Sequence, residues 1–141
     1  MYANKFFLLA DDDHDDAELF NEALSTVNPS IKFHHVEDGR EIFQFLLNSK
    51  IEKPDIIFLD LNMPGMSGWQ CLAKLKNDAT LKNIPVIMYS TSSNPREKEI
   101  AIDLGATGFV TKPTDFKVLT KILETISTNP SAELRRVLKE I

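Results

Sequence analysis

Asp60 stands directly after the apolar run Ile56-Ile57-Phe58-Leu59 and directly before the turn-forming stretch Leu61-Asn62-Met63-Pro64-Gly65-Met66-Ser67-Gly68. A carboxylate carried to the tip of a buried strand and left at a turn is presented for chemistry. Three other apolar runs end in reactive or charged groups. Phe6-Phe7-Leu8-Leu9-Ala10 ends in Asp11-Asp12-Asp13, Pro85-Val86-Ile87-Met88-Tyr89 ends in the hydroxyls of Ser90 and Thr91, and Gly108-Phe109-Val110-Thr111 ends in Lys112-Pro113. If these four runs are parallel strands, their polar tips meet at one sheet edge. Carboxylates crowded there repel one another and favour protonation unless a cation sits among them. With only oxygen ligands on offer, a water-retaining Mg²⁺ fits better than zinc or a fully caged calcium. Lys112 would bring an ammonium to the same edge and Ser90 a hydroxyl. Carboxylate nucleophile, divalent cation, ammonium and hydroxyl are the parts that phosphoryl transfer to an aspartate needs, and its product would be an aspartyl phosphate on Asp60.

The elements that must position these groups alternate strand-like and helix-like down the chain, the pattern of an α/β fold with a parallel sheet. After Asp13, acidic residues open a helix at its positive end, Leu19, Phe20, Ala23, Leu24 and Val27 recur at helical spacing, and Asn28-Pro29 stops it. Ile31 to Val36 alternates as a strand, and Ile42, Phe43, Phe45, Leu46 and Leu47 mark a second helix. Trp69, Leu72, Ala73, Leu75 and Leu81 suggest the third. Ser92-Ser93-Asn94-Pro95 caps a fourth that reaches Leu104 and ends at Gly105. A short fifth strand covers Thr107 to Thr111, and Phe116, Leu119, Ile122, Leu123 and Ile126 line the last helix of the repeat. Right-handed crossovers favour the order 2-1-3-4-5, a doubly wound five-stranded parallel sheet of flavodoxin-like type, whose ligand site lies where strand order reverses. Asn129-Pro130-Ser131 then breaks the pattern. Ala132 to Ile141 reads as one more short helix with Leu134, Val137, Leu138 and Ile141 on one face, expected to pack against the domain, with a partner-docking segment as the alternative. The expected division is a domain over residues 1–128 and a helical extension over 129–141.

With 141 residues, 43% of them hydrophobic, the chain suits one domain with a full core. The net charge of -5 argues against a general affinity for nucleic acid or anionic lipid, which needs clustered Lys and Arg. No apolar stretch approaches the roughly 20 residues that span a bilayer, and the apolar start lacks the flanks of a signal peptide. The lone Cys71 forms no internal bridge, and a reducing cytoplasm is the expected location.

Four segments together, Leu-Leu-Ala-Asp-Asp, Asp-Leu-Asn-Met-Pro-Gly-Met-Ser-Gly, Pro-Val-Ile-Met-Tyr-Ser-Thr and Gly-Ala-Thr-Gly-Phe-Val-Thr-Lys-Pro, resemble the receiver domain of two-component response regulators, in order and spacing, over about residues 5 to 128. The resemblance implies that Asp60 accepts a phosphoryl group from a phosphohistidine on a sensor histidine kinase or a histidine phosphotransfer protein. Asp12 and Asp60 would bind Mg²⁺ directly together with the backbone carbonyl of Asn62, and Asp11 through metal-bound water. Ser90 would hydrogen-bond the phosphoryl group and Lys112 would pair with it. Phe109 matches the aromatic switch position, where a Phe must act by packing alone, and the bond before Pro113 would be cis, against the general trans preference of X–Pro. Placing Ala10 as the last strand residue gives the acid pair Asp11 and Asp12; a register shifted by one gives Asp12 and Asp13.

Plainer readings apply elsewhere. Asp15-Asp16 is expected to be a solvated face or a helix N-terminus, and His34 and His35, pointing to opposite faces of a strand, are expected to be surface histidines unable to chelate together. Trp69 and Cys71 are expected to pack, and Gly65 and Gly68 to make the turn. A haloacid-dehalogenase-type enzyme would want a second Asp two residues after its nucleophile, where this chain has Asn62. The expectation is therefore a signalling module and no enzyme beyond its own phosphorylation and dephosphorylation at Asp60. It would be a stand-alone receiver acting by docking on a downstream protein, as a monomer or weak homodimer. A degenerate receiver that binds partners constitutively is a third reading, disfavoured because all five site positions hold competent residues.

Overall fold

The computed structural model describes residues 5–139. Its strands are β1 (Phe6–Ala10), β2 (Lys32–Val36), β3 (Ile56–Leu59), β4 (Val86–Ser90) and β5 (Gly108–Thr111). Its helices are α1 (His14–Val27), α2 (Gly39–Leu46), α3 (Gly68–Asn77), α4 (Pro95–Asp103), α5 (Phe116–Thr128) and α6 (Ser131–Leu138). All strand pairs are parallel and the sheet order is β2-β1-β3-β4-β5, as expected.

The central strands are continuous apolar runs because helices cover both faces of the sheet. Side-chain alternation divides each run between two cores. Phe7, Leu9, Ile56, Phe58, Ile87 and Tyr89 point to the face covered by α1 and α5, where they meet Phe20, Leu24, Leu119 and Leu123. Leu8, Ala10, Ile57, Leu59, Val86 and Met88 point to the opposite face, against Ile42, Leu46, Leu72, Leu75 and Ala101 of α2, α3 and α4. Both cores are closed right up to the strand ends, so the loops beyond those ends start from a rigid base.

The five helices α1 to α5 begin at side-chain caps, whereas α6 follows Pro130 without one. Asp13, Asp38, Asn94 and Asp115 accept backbone N–H bonds at the starts of α1, α2, α4 and α5, and Ser67 with Gln70 forms a capping box on α3. Leu81 lies beyond the end of α3, in the turn that follows, yet is fully buried. Leu19 and Leu47, expected on apolar helix faces, are 48% and 58% exposed: Leu19 lies off the stripe of α1 that Ala17, Phe20, Ala23 and Leu24 bury, and Leu47 is the cap residue past the end of α2.

The chain turns at Asn129-Pro130 into α6, which lies against β5. Leu134 and Leu138 join the core of the α1/α5 face, and Arg135 Nη2 donates to the Ala106 carbonyl at 3.4 Å. Gly108 makes the close approach possible: a Cβ there would lie 2.5 Å from Leu138 Cδ1. Ile141, placed on this face from the sequence, falls outside the described residues.

Candidate functional site

β1 and β3 are neighbours although β2 separates them in sequence, so strand order reverses between them and a crevice opens at their C-terminal ends. The sheet ladder continues one residue past the strands. Asp60 N–H donates to the Ala10 carbonyl at 2.9 Å, Asp11 N–H to the Val36 carbonyl at 3.0 Å, and Lys112 N–H to the Ser90 carbonyl at 2.7 Å. These bonds fix the backbone of each functional residue before its side chain is considered.

Carboxylate oxygens of Asp11, Asp12 and Asp60 lie within 4.8 Å of one another. Asp11 is fully buried, Asp60 is buried at 7% exposure, and Asp12 is open to solvent. The Asp13 carboxylate points the other way and accepts the N–H groups of Asp15 and Asp16 as the N-cap of α1. The side chain nearest the acid pair is thus engaged in holding the helix. Asn62 N–H lies 3.5 Å from Asp60 Oδ1, at the outer limit of a hydrogen bond.

Lys112 reaches into this cluster from the end of β5 with its side chain only 8% exposed. Its Nζ lies 2.8 Å from Asp11 Oδ2, 2.8 Å from Asp16 Oδ2 and 3.7 Å from Asp60 Oδ2. The contact with Asp16 is a directed hydrogen bond, whereas that with Asp11 Oδ2 is close but poorly aligned, and this buried oxygen has no other partner. Burial works against the charged ammonium, yet its contacts with Asp11 and Asp16 and the charges of Asp11 and Asp60 outweigh it and hold Lys112 well above the usual lysine range. Burial also pushes the Asp60 carboxyl up, to about 7; the Lys112 charge opposes the rise and the Asp11 carboxylate adds to it. One ammonium does not neutralise so many acids, and a buried oxygen without an aligned donor is what a cation site leaves when only protein groups are present. The donor set of carboxylates, with solvent reaching Asp12, fits a hard divalent ion.

Ser90 ends β4 beside β3, is buried at 1% exposure, and accepts the Ser92 N–H on Oγ at 3.2 Å. Phe109 pairs with Met88 in register and packs half-buried against the core of the α2–α4 face, with Lys98 Nζ 6.0 Å from its ring centre. The Lys112–Pro113 bond is trans, for no cis peptide bond occurs among the described residues. This corrects the cis geometry that the resemblance implied, and trans is the ordinary preference of X–Pro. The lysine is aimed by its carboxylate partners.

Asp15 and Asp16 stand in the first turn of α1, as expected of a helix N-terminus, but the contact of Asp16 with Lys112 was not foreseen from the sequence. Acidic residues at a helix start are usually solvated, but the loop from β1 to α1 is so short that the first turn of α1 overhangs the strand ends. The signal available was that shortness. His35 is likewise engaged, its Nε2 lying 2.7 Å from the Asp11 carbonyl oxygen, and His34 stacks on Phe45 at 4.2 Å between ring centres. Cys71 is fully buried and burial pushes its thiol up to about 11, so it packs as a small apolar group.

The family model described as the response regulator receiver domain matches residues 7–124. The chain belongs to that family. Response regulator Rcp1 of Synechocystis sp. is 30% identical over 128 residues, covering 88% of this chain and 87% of that one. Among solved structures, the Mn²⁺-bound form of response regulator Rcp1 superposes with a TM-score of 0.76 at 31% identity, covering 86% of this chain and 91% of that one. The phosphorylated cyanobacterial phytochrome response regulator RcpA gives 0.77 at 35% identity, covering 88% of this chain and 91% of that one. In this chain the acid cluster stands at the reversal point of the sheet, and two of its relatives were captured with a divalent metal and with a phosphoryl group. No helix among the described residues is long and apolar enough to cross a membrane.

Proposed function

We propose that this receiver takes a phosphoryl group on Asp60 from a phosphohistidine of a sensor histidine kinase or a histidine phosphotransfer protein, in a Mg²⁺-dependent reaction, and thereby changes the surface it offers to a downstream protein. The observation that carries this reading is the Asp60 carboxylate at the tip of β3, clustered with Asp11 and Asp12 and facing an ammonium 3.7 Å away. In the transfer, an Asp60 oxygen forms a bond to phosphorus as the P–N bond of the donor breaks. The donor imidazole keeps the electron pair and takes a proton from water. Lys112 supplies positive charge to the phosphoryl oxygens, and Ser90 offers its hydroxyl to one of them. Water later attacks phosphorus, the bond to Asp60 breaks, and carboxylate and inorganic phosphate are restored. Asp11, Asp12, Asp60 and the Asn62 carbonyl would hold Mg²⁺, which when bound neutralises the phosphoryl charge. The buried Cys71 thiol suits a reducing cytoplasm. Incubation with a small phosphodonor and Mg²⁺ tests the reading by mass spectrometry. One phosphoryl adduct, mapped to Asp60, is expected; continuous release of phosphate from many esters without an adduct would sink it.

The raised pKa of Asp60 gives the metal step a pH dependence. A carboxyl with its pKa near 7 is largely protonated in mild acid, and a cation can bind it fully only after the proton leaves. Mg²⁺ affinity is expected to rise as pH increases through about 7, with proton release that calorimetry in buffers of different ionisation enthalpy reads directly. Affinity that stays flat across neutral pH would contradict this coupling.

The output runs through β4 and β5. A phosphoryl group adds up to about two negative charges beside Ser90 and Lys112, a bias large enough to invert a two-state equilibrium of a few kcal/mol. Movement of Ser90 toward it would leave space for the Phe109 ring. The exposed apolar side chains Ile100 and Leu104 near this route on α4, and Phe116 and Val118 on α5, support a partner surface there. Hydrogen exchange is expected to change in α4, β5 and α5 when beryllofluoride and Mg²⁺ are added, and no change in those elements would refute the switch.

A further inference from the structure

Lys112 can direct three N–H bonds, and in the unphosphorylated protein its two shortest contacts go to Asp11 and Asp16 while the acceptor Asp60 is 0.9 Å farther off, at 3.7 Å against 2.8 Å. Asp11 is anchored by the strand ladder and belongs to the acid cluster. Asp16 does not. It comes from the first turn of α1, its side chain is 31% exposed, and its hydrogen bond with the ammonium is the well-aligned one. The neighbouring Asp15 is exposed, and the ion pairs of Lys112 among the described residues go to Asp11, Asp16 and Asp60. An anion placed there affects a phosphoryl group on Asp60 in two ways that act in the same direction: it occupies the ammonium that the phosphoryl oxygens need, and it repels their charge.

We propose that Asp16 is a positioning residue that holds Lys112 back from Asp60 and competes with the phosphoryl group for the ammonium, so that it limits how tightly the site holds a phosphoryl group. The inference rests on Asp60 being the phosphoryl acceptor. Asp16 differs from Asp11 in being displaceable: about a third open to solvent, it can turn outward into water when a phosphoryl oxygen takes its place, at little cost in desolvation. The fully buried Asp11 has no such exit. The receiver thus carries a built-in counter-ion whose removal favours the phosphorylated arrangement.

The test compares Asp16→Asn, Asp16→Glu and Asp15→Asn with the natural protein. In the presence of Mg²⁺, Asp16→Asn is expected to bind beryllofluoride about two- to fivefold more tightly, the scale of one partly exposed charge pair. Asp15→Asn removes the same charge one residue away and is expected to change affinity less than about twofold, while Asp16→Glu keeps the carboxylate and the natural affinity. With a small phosphodonor, the half-saturating concentration should fall in Asp16→Asn. A metal-free readout stands beside these: the ¹⁵N resonance of the Lys112 ammonium should move in Asp16→Asn and stay in place in Asp15→Asn. Asp16→Asn binding no tighter than the natural protein, Asp15→Asn shifting as much, Asp16→Glu matching Asp16→Asn, or an unmoved Lys112 resonance would each overturn the proposal. If the natural protein binds no beryllofluoride while the Lys112 resonance moves as expected, the phosphoacceptor reading is what has failed, and the competition falls with it.

Discussion

Asp60→Asn is expected to abolish the phosphoryl adduct and, in the same protein, to make the metal-free fold more stable at neutral and alkaline pH. The first effect follows from chemistry: an amide oxygen is a poor nucleophile and carries no charge for Lys112 to balance, so labelling should fall below about 1% of the natural protein. The second follows from burial. In the folded protein the Asp60 carboxyl is pushed up to about 7, whereas an unfolded chain holds such a group at its ordinary value of 3.8. Between those values the folded state binds more protons than the unfolded one, and linkage then requires stability to fall as pH rises. The penalty is absent below the unfolded value, grows across the window, and is complete above about 7. Asn carries no charge to bury and escapes it. Chemical denaturation at several pH values without Mg²⁺ reads the difference: the stability of the natural protein should decline across the window more steeply than that of Asp60→Asn. Parallel curves would show that Asp60 is not held in an unfavourable charge state. Added Mg²⁺ should narrow the gap, because a bound cation stabilises only the protein that retains the carboxylate.

Gly68→Ala is expected to be damaging well out of proportion to one methyl group. A Cβ at Gly68 would lie 2.3 Å from the Asp60 carbonyl oxygen and 2.8 Å from Leu61 Cα. Both are backbone atoms of the segment that carries Asp60, and Gly68 N–H donates to the Leu61 carbonyl at 2.9 Å, so neither side can withdraw without losing a bond. Overpacking of this kind costs about 2–4 kcal/mol. Thermal or denaturant unfolding should show that loss, and the surviving folded protein should phosphorylate more slowly because α3 has been pushed away from the end of β3. Gly65 provides the contrast. Its φ of 78° disfavours a side chain, but the nearest atom to a Cβ there is Arg40 Nε at 3.6 Å, an ordinary contact with a flexible side chain. Gly65→Ala should therefore cost only the left-handed backbone penalty of about 1–2 kcal/mol and leave phosphorylation nearly intact. Equal damage from both substitutions would remove the argument that Gly68 serves close approach. From the sequence both residues read as turn glycines; Gly65 does adopt a turn conformation, while Gly68 is required by its distance from another segment, a property that local spacing does not encode.

The same division runs through the whole molecule. Strand and helix identities were legible along the chain because their signals are local: buried parallel strands are continuous apolar runs, apolar residues recur at helical spacing, and the stretch that ends in Asn94-Pro95 caps the helix that follows it. Strand order was legible as well, since the handedness of each crossover leaves few alternatives. The convergence of acid cluster and lysine on one edge then follows from topology. Contacts between side chains from separate elements were not legible. Nothing in the spacing of Asp15 and Asp16 says that one faces water and the other an ammonium; the overhang of α1 above the end of β5 decides it. The same holds for the union of α6 with the core through Leu134 and Leu138. Amino-acid order specifies which groups arrive at the sheet edge because periodicity and chirality act over a few residues. How charge is shared among those groups depends on distances of a few ångströms between segments far apart in sequence, and only the packed structure sets those.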